Sequence, residues 1–468
     1  MRLKVVERLE CLVKKLKKNE HHITIIIALI LTGLILLLSN ASAIDVFVNP
    51  VHSPNGAVLL IVDGMGSSYI YPEFVPYDLD GNELGKANLS NIISISESGT
   101  RVLDVRAPQP STTPGHSVLT TGYSKANEDT VGEMITIFDV VRKHDYICMA
   151  VMQKGDFEEM RAEQDAILFD ASHSIREPLI ALDYKLSCPN DVVELMQEWQ
   201  NNSLLEEKEG VERYIAYNEW AIGASDAIAN FMCENHPDQK FLLTVNVGAV
   251  DLAGHYFGSE QYLYVIEGLD RDIYGLYKTC SESNLIFIIK ADHGMAFDRT
   301  EIGREVGGHA SEKYAKTLET QRVPLIINGP NIRKDIISGI YGQEDVAPTL
   351  LSGLDIMEVL PCSDGDIIPV KEYANLRVIV GSPTEVVVLQ KGDVSVASAS
   401  GDYITFFGLV PYNYTILVSS HEEHINLRSD QIVELHISRA DHRMIIATMM
   451  ISVVMVVGLL AIWKIMRE

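Results

Sequence analysis

Short runs of β-branched and other apolar residues alternate with longer stretches of helical periodicity over residues 57–369. Five of these runs have the length and composition of buried strands, at residues 58–62, 146–152, 241–247, 285–289 and 323–327. Continuous apolar strands separated by helices are typical of a parallel sheet that is covered on both faces. We therefore predict one large α/β domain over residues 45–370 with a largely parallel sheet. Residues 194–233, rich in helix formers and polar side chains, are a candidate insertion or cap.

Beyond residue 371 the pattern changes to consecutive short strands with no helix between them. Six runs of this kind lie at residues 376–380, 385–390, 393–397, 403–407, 414–419 and 431–437. The stretch FFGLVPYNYTILV, at residues 406–418, resembles the strand motif of carboxypeptidase-regulatory-like and transthyretin-like sandwiches. We predict a small β-sandwich over residues 371–440 that contributes no catalytic group.

Two runs without a charged residue lie near the ends of the chain, at residues 23–44 and 444–463. Each is long enough to cross the hydrocarbon core of a bilayer, which takes a helix of about 20 residues. The first run is alternatively a cleavable signal peptide, because Ala41, Ser42 and Ala43 fit the small-residue cleavage pattern. Its long charged leader favours an uncleaved anchor, so we predict two membrane-spanning helices.

The charges that flank these runs predict their orientation. Residues 1–22 contain seven Lys and Arg against three Glu, and residues 464–468 contain two Lys and Arg against one Glu. By the positive-inside rule, both tails are expected to be cytoplasmic. The expected location is therefore the cell membrane, with the lipid bilayer as a partner and the residues between the spans outside the cytoplasm.

The composition excludes several other classes of protein. The chain of 468 residues carries 38 Lys and Arg against 64 Asp and Glu, a net charge of −26, so it lacks an extensive basic surface for nucleic acid. Its 47% hydrophobic and 22% charged residues exclude a disordered chain. The six cysteines have no CxxC spacing, so neither a disulfide scaffold nor a cysteine-ligated zinc site is indicated.

Five short segments combine acidic, histidine or hydroxyl side chains with apolar surroundings. They are VLLIVDGMG with Asp63, PSTTPGHSVLTTG with Thr112, NVGAVDLAGH with Asp251 and His255, IFIIKADHGM with Asp292 and His293, and VGGH with His309. In three of the segments the polar group follows a predicted buried strand. Open α/β sheets bind ligands beyond the carboxyl ends of their strands, so these side chains are expected in one crevice.

Each of these residues also has an ordinary structural interpretation. A lone Asp after a strand often caps a helix, and a lone His is often only packed or exposed. Together, however, three Asp, three His and a hydroxyl group supply the oxygen and nitrogen ligands of a two-metal hydrolytic site. We therefore predict two divalent cations as cofactors, either zinc or manganese.

In order and spacing, the five segments resemble the alkaline phosphatase superfamily, most closely its type I phosphodiesterase and nucleotide pyrophosphatase branch. They are also similar to cofactor-independent phosphoglycerate mutases and to sulfatases. RVPLIINGP at residues 322–330 and EDVAPTLL at residues 344–351 are similar to the final strand and helix of the family. The resemblance implies an alkaline-phosphatase-like sandwich of three layers. It also implies that one cation binds Asp63, Thr112, Asp292 and His293 and that the other binds Asp251, His255 and His309.

Thr112 is the nucleophile that the resemblance implies, because the family places this residue four positions before a histidine, here His116. Pro114 suits the first turn of a helix, and the positive end of that helix would face the hydroxyl group. The hydroxyl groups of Ser111 and Thr113 remain alternatives. Lys154 follows the apolar run 146–152 and is a candidate contact for a phosphate oxygen, although a solvated surface lysine is the simpler interpretation.

These features predict a membrane-anchored enzyme that hydrolyses phosphodiesters or phosphomonoesters through a covalent phospho-threonine. An envelope transferase that moves phosphoethanolamine or phosphoglycerol would use similar chemistry. A sulfatase is disfavoured, because Thr112 cannot be oxidised to formylglycine and residue 116 is not an arginine. A non-catalytic scaffold is disfavoured because no member of the ligand set is missing.

Overall fold

The computed structural model describes residues 43–153, 157–172, 174–200, 208–299, 305–380 and 386–435. Within these ranges the strands β1 to β19 are Ala43–Phe47, Gly56–Val62, Thr100–Arg106, Ile147–Met152, Ala166–Asp170, Ile180–Tyr184, Phe241–Val247, Leu285–Lys290, Ala296–Arg299, Glu305–Gly308, Arg322–Asn328, Asp335–Gly342, Ala374–Ile379, Val386–Lys391, Val394–Ser400, Tyr403–Leu409, Tyr412–Val418, His421–Leu427 and Gln431–Glu434.

The helices α1 to α11 are Asn91–Ser98, Thr112–Thr121, Glu128–Glu133, Ile137–Arg142, Glu158–Ala162, Asn190–Gln200, Gly210–Asn235, Ala249–Phe257, Ser259–Glu282, Leu318–Gln321 and Val346–Gly353. Single 3₁₀ turns lie at Ser67–Tyr69 and Gln343–Asp345.

The main sheet has nine strands in the order β12-β3-β11-β8-β2-β7-β4-β5-β6. Most neighbours are parallel, but β11 runs antiparallel to both β3 and β8, and β6 is antiparallel to β5 at one edge. Strands β2, β4, β7 and β8 are buried along their whole length, so both faces of the sheet are covered. The prediction of an α/β fold with a mostly parallel sheet is confirmed.

The three central strands position the candidate site. Strand β2, with the sequence GAVLLIV, pairs in parallel with β7 on one side and with β8 on the other. Because the carboxyl ends of parallel strands meet at one edge of a sheet, the residues that follow these three strands lie next to one another.

Helix α7 contains most of the predicted cap at residues 194–233 and packs against the main sheet. The helix contacts β4 and β7. Its Tyr217, Trp220 and Ile228 side chains are fully buried in the main core. Residues 210–233 are therefore part of the helical layer over the sheet.

The C-terminal strands form two four-stranded sheets, in the orders β1-β16-β13-β19 and β15-β14-β17-β18. Both sheets share a second apolar core that includes Leu376, Leu389, Phe406 and Ile416. The first strand of the described chain, β1, joins this sandwich and pairs in parallel with β16. Residues 43–47 therefore belong to the sandwich, and not to the end of a membrane span or the beginning of the α/β domain.

A buried charge network joins the sandwich to the α/β domain. The Lys371 ammonium group lies 2.9 Å from Asp355 Oδ1 and 2.8 Å from Asp430 Oδ2, and all three side chains are at most 3% exposed. Ser352, in α11, also donates a hydrogen bond to Asp430 Oδ2 at 2.9 Å. The acidic residues on both sides of the junction are thus held by one shared lysine.

The structure corrects the predicted membrane location. Among the described residues, no helix combines the length and the apolar character that a membrane crossing requires. The two predicted spans, residues 23–44 and 444–463, lie outside the described residues except for Ala43 and Ile44, which begin strand β1. A run without charged residues shows that a segment is apolar, but it does not establish a helix. The last two residues of the first run, Ala43 and Ile44, have extended backbone. The predicted two-span membrane protein with cytoplasmic termini is therefore not supported.

Candidate active site

The three aspartates of the predicted site lie at adjacent strand ends of the main sheet. Asp63 directly follows β2, and Asp292 follows β8 after one intervening residue. Asp251 lies in the first turn of α8, which begins two residues after β7. All three residues are at most 5% exposed. The sheet therefore brings three carboxylates into one buried crevice.

Asp63, Asp292 and His293 form the first group of candidate ligands, and their ligand atoms all lie within 4.8 Å of one another. His293 Nε2 is 3.2 Å from Asp63 Oδ1 and 3.4 Å from Asp292 Oδ2. This spacing allows one cation to contact all three side chains.

Asp251, His255 and His309 form the second group of candidate ligands. Asp251 Oδ1 lies 3.3 Å from His255 Nε2 and 3.5 Å from His309 Nε2. His309 follows β10, which pairs antiparallel with β9. The two groups adjoin, since the His293 and His309 rings are stacked with 3.7 Å between their centroids.

Backbone carbonyl groups orient the three histidines. In each ring Nδ1 faces a carbonyl oxygen at 2.9–3.0 Å, which leaves Nε2 free for a ligand. The pairs are His255 with Gly307, His293 with Gly294 and His309 with Pro110.

Three carboxylate oxygens within the two groups receive no hydrogen bond from the described residues. Asp63 Oδ1, Asp251 Oδ1 and Asp292 Oδ2 are buried and accept no hydrogen bond from any described residue. An unpaired buried carboxylate oxygen is costly, and a bound cation removes that cost. The combination of carboxylate oxygens and imidazole nitrogens suits zinc or manganese, so each group fits a divalent cation.

The pKa values of the site show a local excess of negative charge. Burial, together with repulsion from Asp292 and Asp251, raises the pKa of Asp63 well above its usual range. Burial opposes protonation of His293, but the carboxylates of Asp292 and Asp63 nevertheless raise its pKa to about 10. The first group therefore attracts positive charge strongly.

Thr112 is the first residue of α2, and its Oγ1 lies 3.1 Å from His293 Nε2. Ser111 is the N-cap residue of this helix, and its side chain makes no capping hydrogen bond. Gly115 allows the helix to approach the first group, because a Cβ atom on it would lie 2.8 Å from the Asp292 carbonyl oxygen. Of the hydroxyl groups considered above, the Thr112 hydroxyl thus has a direct contact with the candidate ligands.

His116 is a site residue to which the sequence motif gave no role. Its side chain is fully buried, and its Nε2 lies 3.7 Å from Asp292 Oδ2. His116 and Thr112 are four residues apart in α2, so they share one face of the helix. This helical spacing was the available signal, but it does not show which strand the face meets.

Lys154 lies outside the described residues, so its predicted contact with phosphate remains a prediction. The preceding residue, Gln153, accepts a hydrogen bond from the Gly248 N–H at 2.8 Å. Gly248 is the N-cap residue of α8, so Gln153 fixes the turn that leads to Asp251.

Comparison with known proteins identifies the family. A family model described as the metalloenzyme superfamily matches residues 55–356, more than half of the chain. The chain belongs to this metalloenzyme superfamily. The family relationship that the motifs indicated is thereby confirmed. No curated protein sequence matches the chain.

Solved structures with similar folds include both phosphatases and sulfatases. Alkaline phosphatase PafA is 14% identical, with a TM-score of 0.46, over 68% of this chain and 99% of its own. A protein of the alkaline phosphatase superfamily from Vibrio parahaemolyticus is 14% identical, with a TM-score of 0.47, over 81% of this chain and 80% of its own. A putative sulfatase from Bacteroides fragilis is 14% identical, with a TM-score of 0.43, over 67% of this chain and 76% of its own.

Proposed function

We propose that the protein hydrolyses phosphate esters, with a preference for diesters, and that Thr112 is the nucleophile. The observation that carries the proposal is the contact between Thr112 Oγ1 and His293 Nε2 at 3.1 Å, beside two adjoining groups that fit cations. The preference for diesters is supported by the TTPGH, DLAGH and DHGM segments, which are most similar to the phosphodiesterase branch.

In this proposal each group of side chains holds one divalent cation. Asp63, Asp292, His293 and Thr112 would hold the first cation, and Asp251, His255 and His309 would hold the second. When bound, the two cations lower the pKa of the nucleophile and neutralise charge on the phosphate oxygens. Zinc or manganese suits this ligand set.

Thr112 performs the bond exchange. Its Oγ1 attacks the phosphorus atom, a new bond to phosphorus forms, and the bond to the leaving alcohol breaks, so that the alcohol departs with a proton. Water then cleaves the phospho-threonine and returns a proton to Oγ1. The amide groups at the start of α2 stabilise negative charge beside Thr112 throughout.

His255 marks the open side of the crevice. Its side chain is 32% exposed, whereas that of His309 is 12% exposed and that of His293 is fully buried. A substrate therefore approaches past the second group, and its phosphate is placed between His255 and Thr112. The buried first group is shielded from water, which strengthens electrostatic interactions there.

The first test replaces the three neighbouring hydroxyl groups of the chain one at a time. We expect Thr112→Ala to reduce turnover of bis-p-nitrophenyl phosphate to below about 1% of the wild-type rate, since loss of a nucleophile commonly costs several orders of magnitude. Ser111→Ala and Thr113→Ala are the matched controls and are expected to retain most activity. Turnover by Thr112→Ala comparable with wild type, or a larger loss in either control, would refute the assignment.

The second test compares substrates on the full-length chain. Rates on bis-p-nitrophenyl phosphate, p-nitrophenyl phosphate and p-nitrophenyl sulfate are measured before and after removal of metal by a chelator. We expect diester hydrolysis to be fastest, sulfate hydrolysis to be slowest, and all activity to return when zinc or manganese is restored. Faster hydrolysis of the sulfate ester, or activity that resists the chelator, would contradict the proposal.

A further inference from the structure

His116 is buried at the centre of the site without a hydrogen-bond partner. The side chain has no exposed surface, and neither Nδ1 nor Nε2 bonds to any residue in the described part of the chain. A buried polar group that makes no hydrogen bond costs about 1–3 kcal/mol. Such a group at a functional site calls for a partner that forms when the site is complete.

Asp292 has one oxygen that is fixed and one that is free. Its Oδ1 accepts hydrogen bonds from the backbone N–H groups of Gly64, at 3.1 Å, and His293, at 2.8 Å. Its backbone carbonyl accepts a hydrogen bond from Gln343 Nε2 at 2.9 Å. Oδ2 accepts none, and it lies 3.4 Å from His293 Nε2 and 3.7 Å from His116 Nε2. Oδ2 is therefore the Asp292 oxygen that is available to a cation held by the first group.

We propose that His116 is a positioning residue for the first cation, because its Nε2–H donates a hydrogen bond to Asp292 Oδ2. A hydrogen bond of ordinary length is about 2.7–3.2 Å, so the two side chains need to approach by only a few tenths of an ångström. Helix α2 is already close to Asp292, since Gly115 has no side chain. The inference rests on the proposed metal site and does not depend on the substrate.

The proposed bond restrains Asp292 in the orientation that a cation requires. Oδ1 and the backbone carbonyl are held by other donors, so rotation of the carboxylate is limited on one side only. A donor on Oδ2 would limit it on the other side, and a bond to an ionised carboxylate is stronger than one between neutral groups. Residues that orient a ligand in this way typically contribute about 10–100-fold to metal affinity.

The test uses three substitutions that separate the hydrogen bond from packing. His116→Gln places an amide N–H near the position of Nε2, whereas His116→Met fills the space without a donor and His116→Asn is too short to reach Oδ2. Thr120→Val is the matched control, because Thr120 is buried in the same helix and its hydroxyl donates to the His116 and Ser117 carbonyl groups of that helix. Zinc bound per full-length chain is measured at buffered free-zinc concentrations, without substrate.

We expect His116→Met and His116→Asn to lower the affinity for one of the two zinc ions by about 10–100-fold. The zinc affinities of His116→Gln and Thr120→Val are expected to remain within about threefold of the wild-type values. In an Asp251→Asn background, where the second group is impaired, His116→Met is expected to remove the remaining ion at concentrations that saturate Asp251→Asn alone. Equal losses in His116→Gln and His116→Met would overturn the proposal, as would unchanged zinc affinity in His116→Met. If the wild-type chain binds two zinc ions but hydrolyses no phosphate ester, the proposed function fails while this inference stands.

Discussion

Two glycines determine how closely the backbone segments of the candidate site can approach one another. A Cβ atom on Gly64, where φ is +76°, would lie 2.9 Å from Asp251 Cα. A Cβ atom on Gly115 would lie 2.8 Å from the Asp292 carbonyl oxygen and 2.9 Å from its Cβ atom. Contacts this short with backbone atoms cannot be relieved by rotation of a side chain. The close packing of α2 against the end of β8 therefore requires a residue without a Cβ atom at position 115.

We expect Gly115→Ala to push α2 away from Asp292. Overpacking of this kind costs about 1–3 kcal/mol, and the displaced Thr112 should reduce turnover at least tenfold. Gly132→Ala is the matched control, because Gly132 lies in helix α3 and the new Cβ would contact only the flexible Glu159 side chain, at 3.2 Å. Thermal unfolding and turnover of bis-p-nitrophenyl phosphate check both variants. Wild-type turnover in Gly115→Ala would show that the close approach is not needed.

The seven residues predicted to form the site were accessible to sequence analysis because most of them follow buried strands. Asp63, Asp292 and His293 lie within three residues of a strand end, where the direction of the chain fixes their location. His116 and Gln343 were not predicted to contact Asp292, although both lie beside it. Their positions depend on how helix α2 and the segment before α11 pack on the sheet. Contacts across such packing surfaces leave no periodic signal in the sequence.

At the scale of elements, the five continuous apolar runs correspond to β2, β4, β7, β8 and β11. Strands with mixed polarity were missed, among them β3, whose sequence TRVLDVR contains three charged residues. Two of these, Asp104 and Arg106, pair with each other at the edge of the core. The antiparallel direction of β11 was missed as well, because hydropathy carries no information about strand direction.

The junction between the sandwich and the α/β domain depends on Lys371. We expect Lys371→Met to lower the free energy of unfolding by about 3–5 kcal/mol, because it leaves the buried carboxylates of Asp355 and Asp430 without their cation. Chemical unfolding followed by circular dichroism checks the value. Lys391→Met is the matched control in the sandwich, since this lysine is partly exposed over the Tyr412 ring and should cost no more than about 1 kcal/mol.

A double substitution tests whether charge is the cause. Adding Asp430→Asn to Lys371→Met removes one of the stranded charges and should restore part of the lost stability. If the double variant is less stable than the single variant by the full cost of Asp430→Asn alone, the two residues act independently and the network has no cooperative role.

At the scale of the whole molecule, 64 acidic and 38 basic residues give a net charge of −26. Self-repulsion of this size destabilises a compact chain, and dissolved salt screens it with a Debye length of about 10 Å at 0.1 M. We expect the unfolding temperature at pH 7.5 to rise between 0.05 and about 0.5 M sodium chloride. At pH 5, close to the sequence isoelectric point of about 4.9, the same series should produce a smaller rise. An unfolding temperature that falls with salt at pH 7.5 would contradict the role of repulsion.

Strand β1 pairs with β16, a strand that the ribosome synthesises much later. Ala43 lies beside Tyr403 and Phe47 stacks on Phe407, so the partners are separated by the whole α/β domain. A ribosome that adds about 5–20 residues per second needs roughly 20–70 s to synthesise the intervening chain. During that time β1 has no β16 to pair with, while the α/β domain that follows it in the chain can already fold. Strand β16 can therefore pair with β1 only after the intervening α/β domain has been translated.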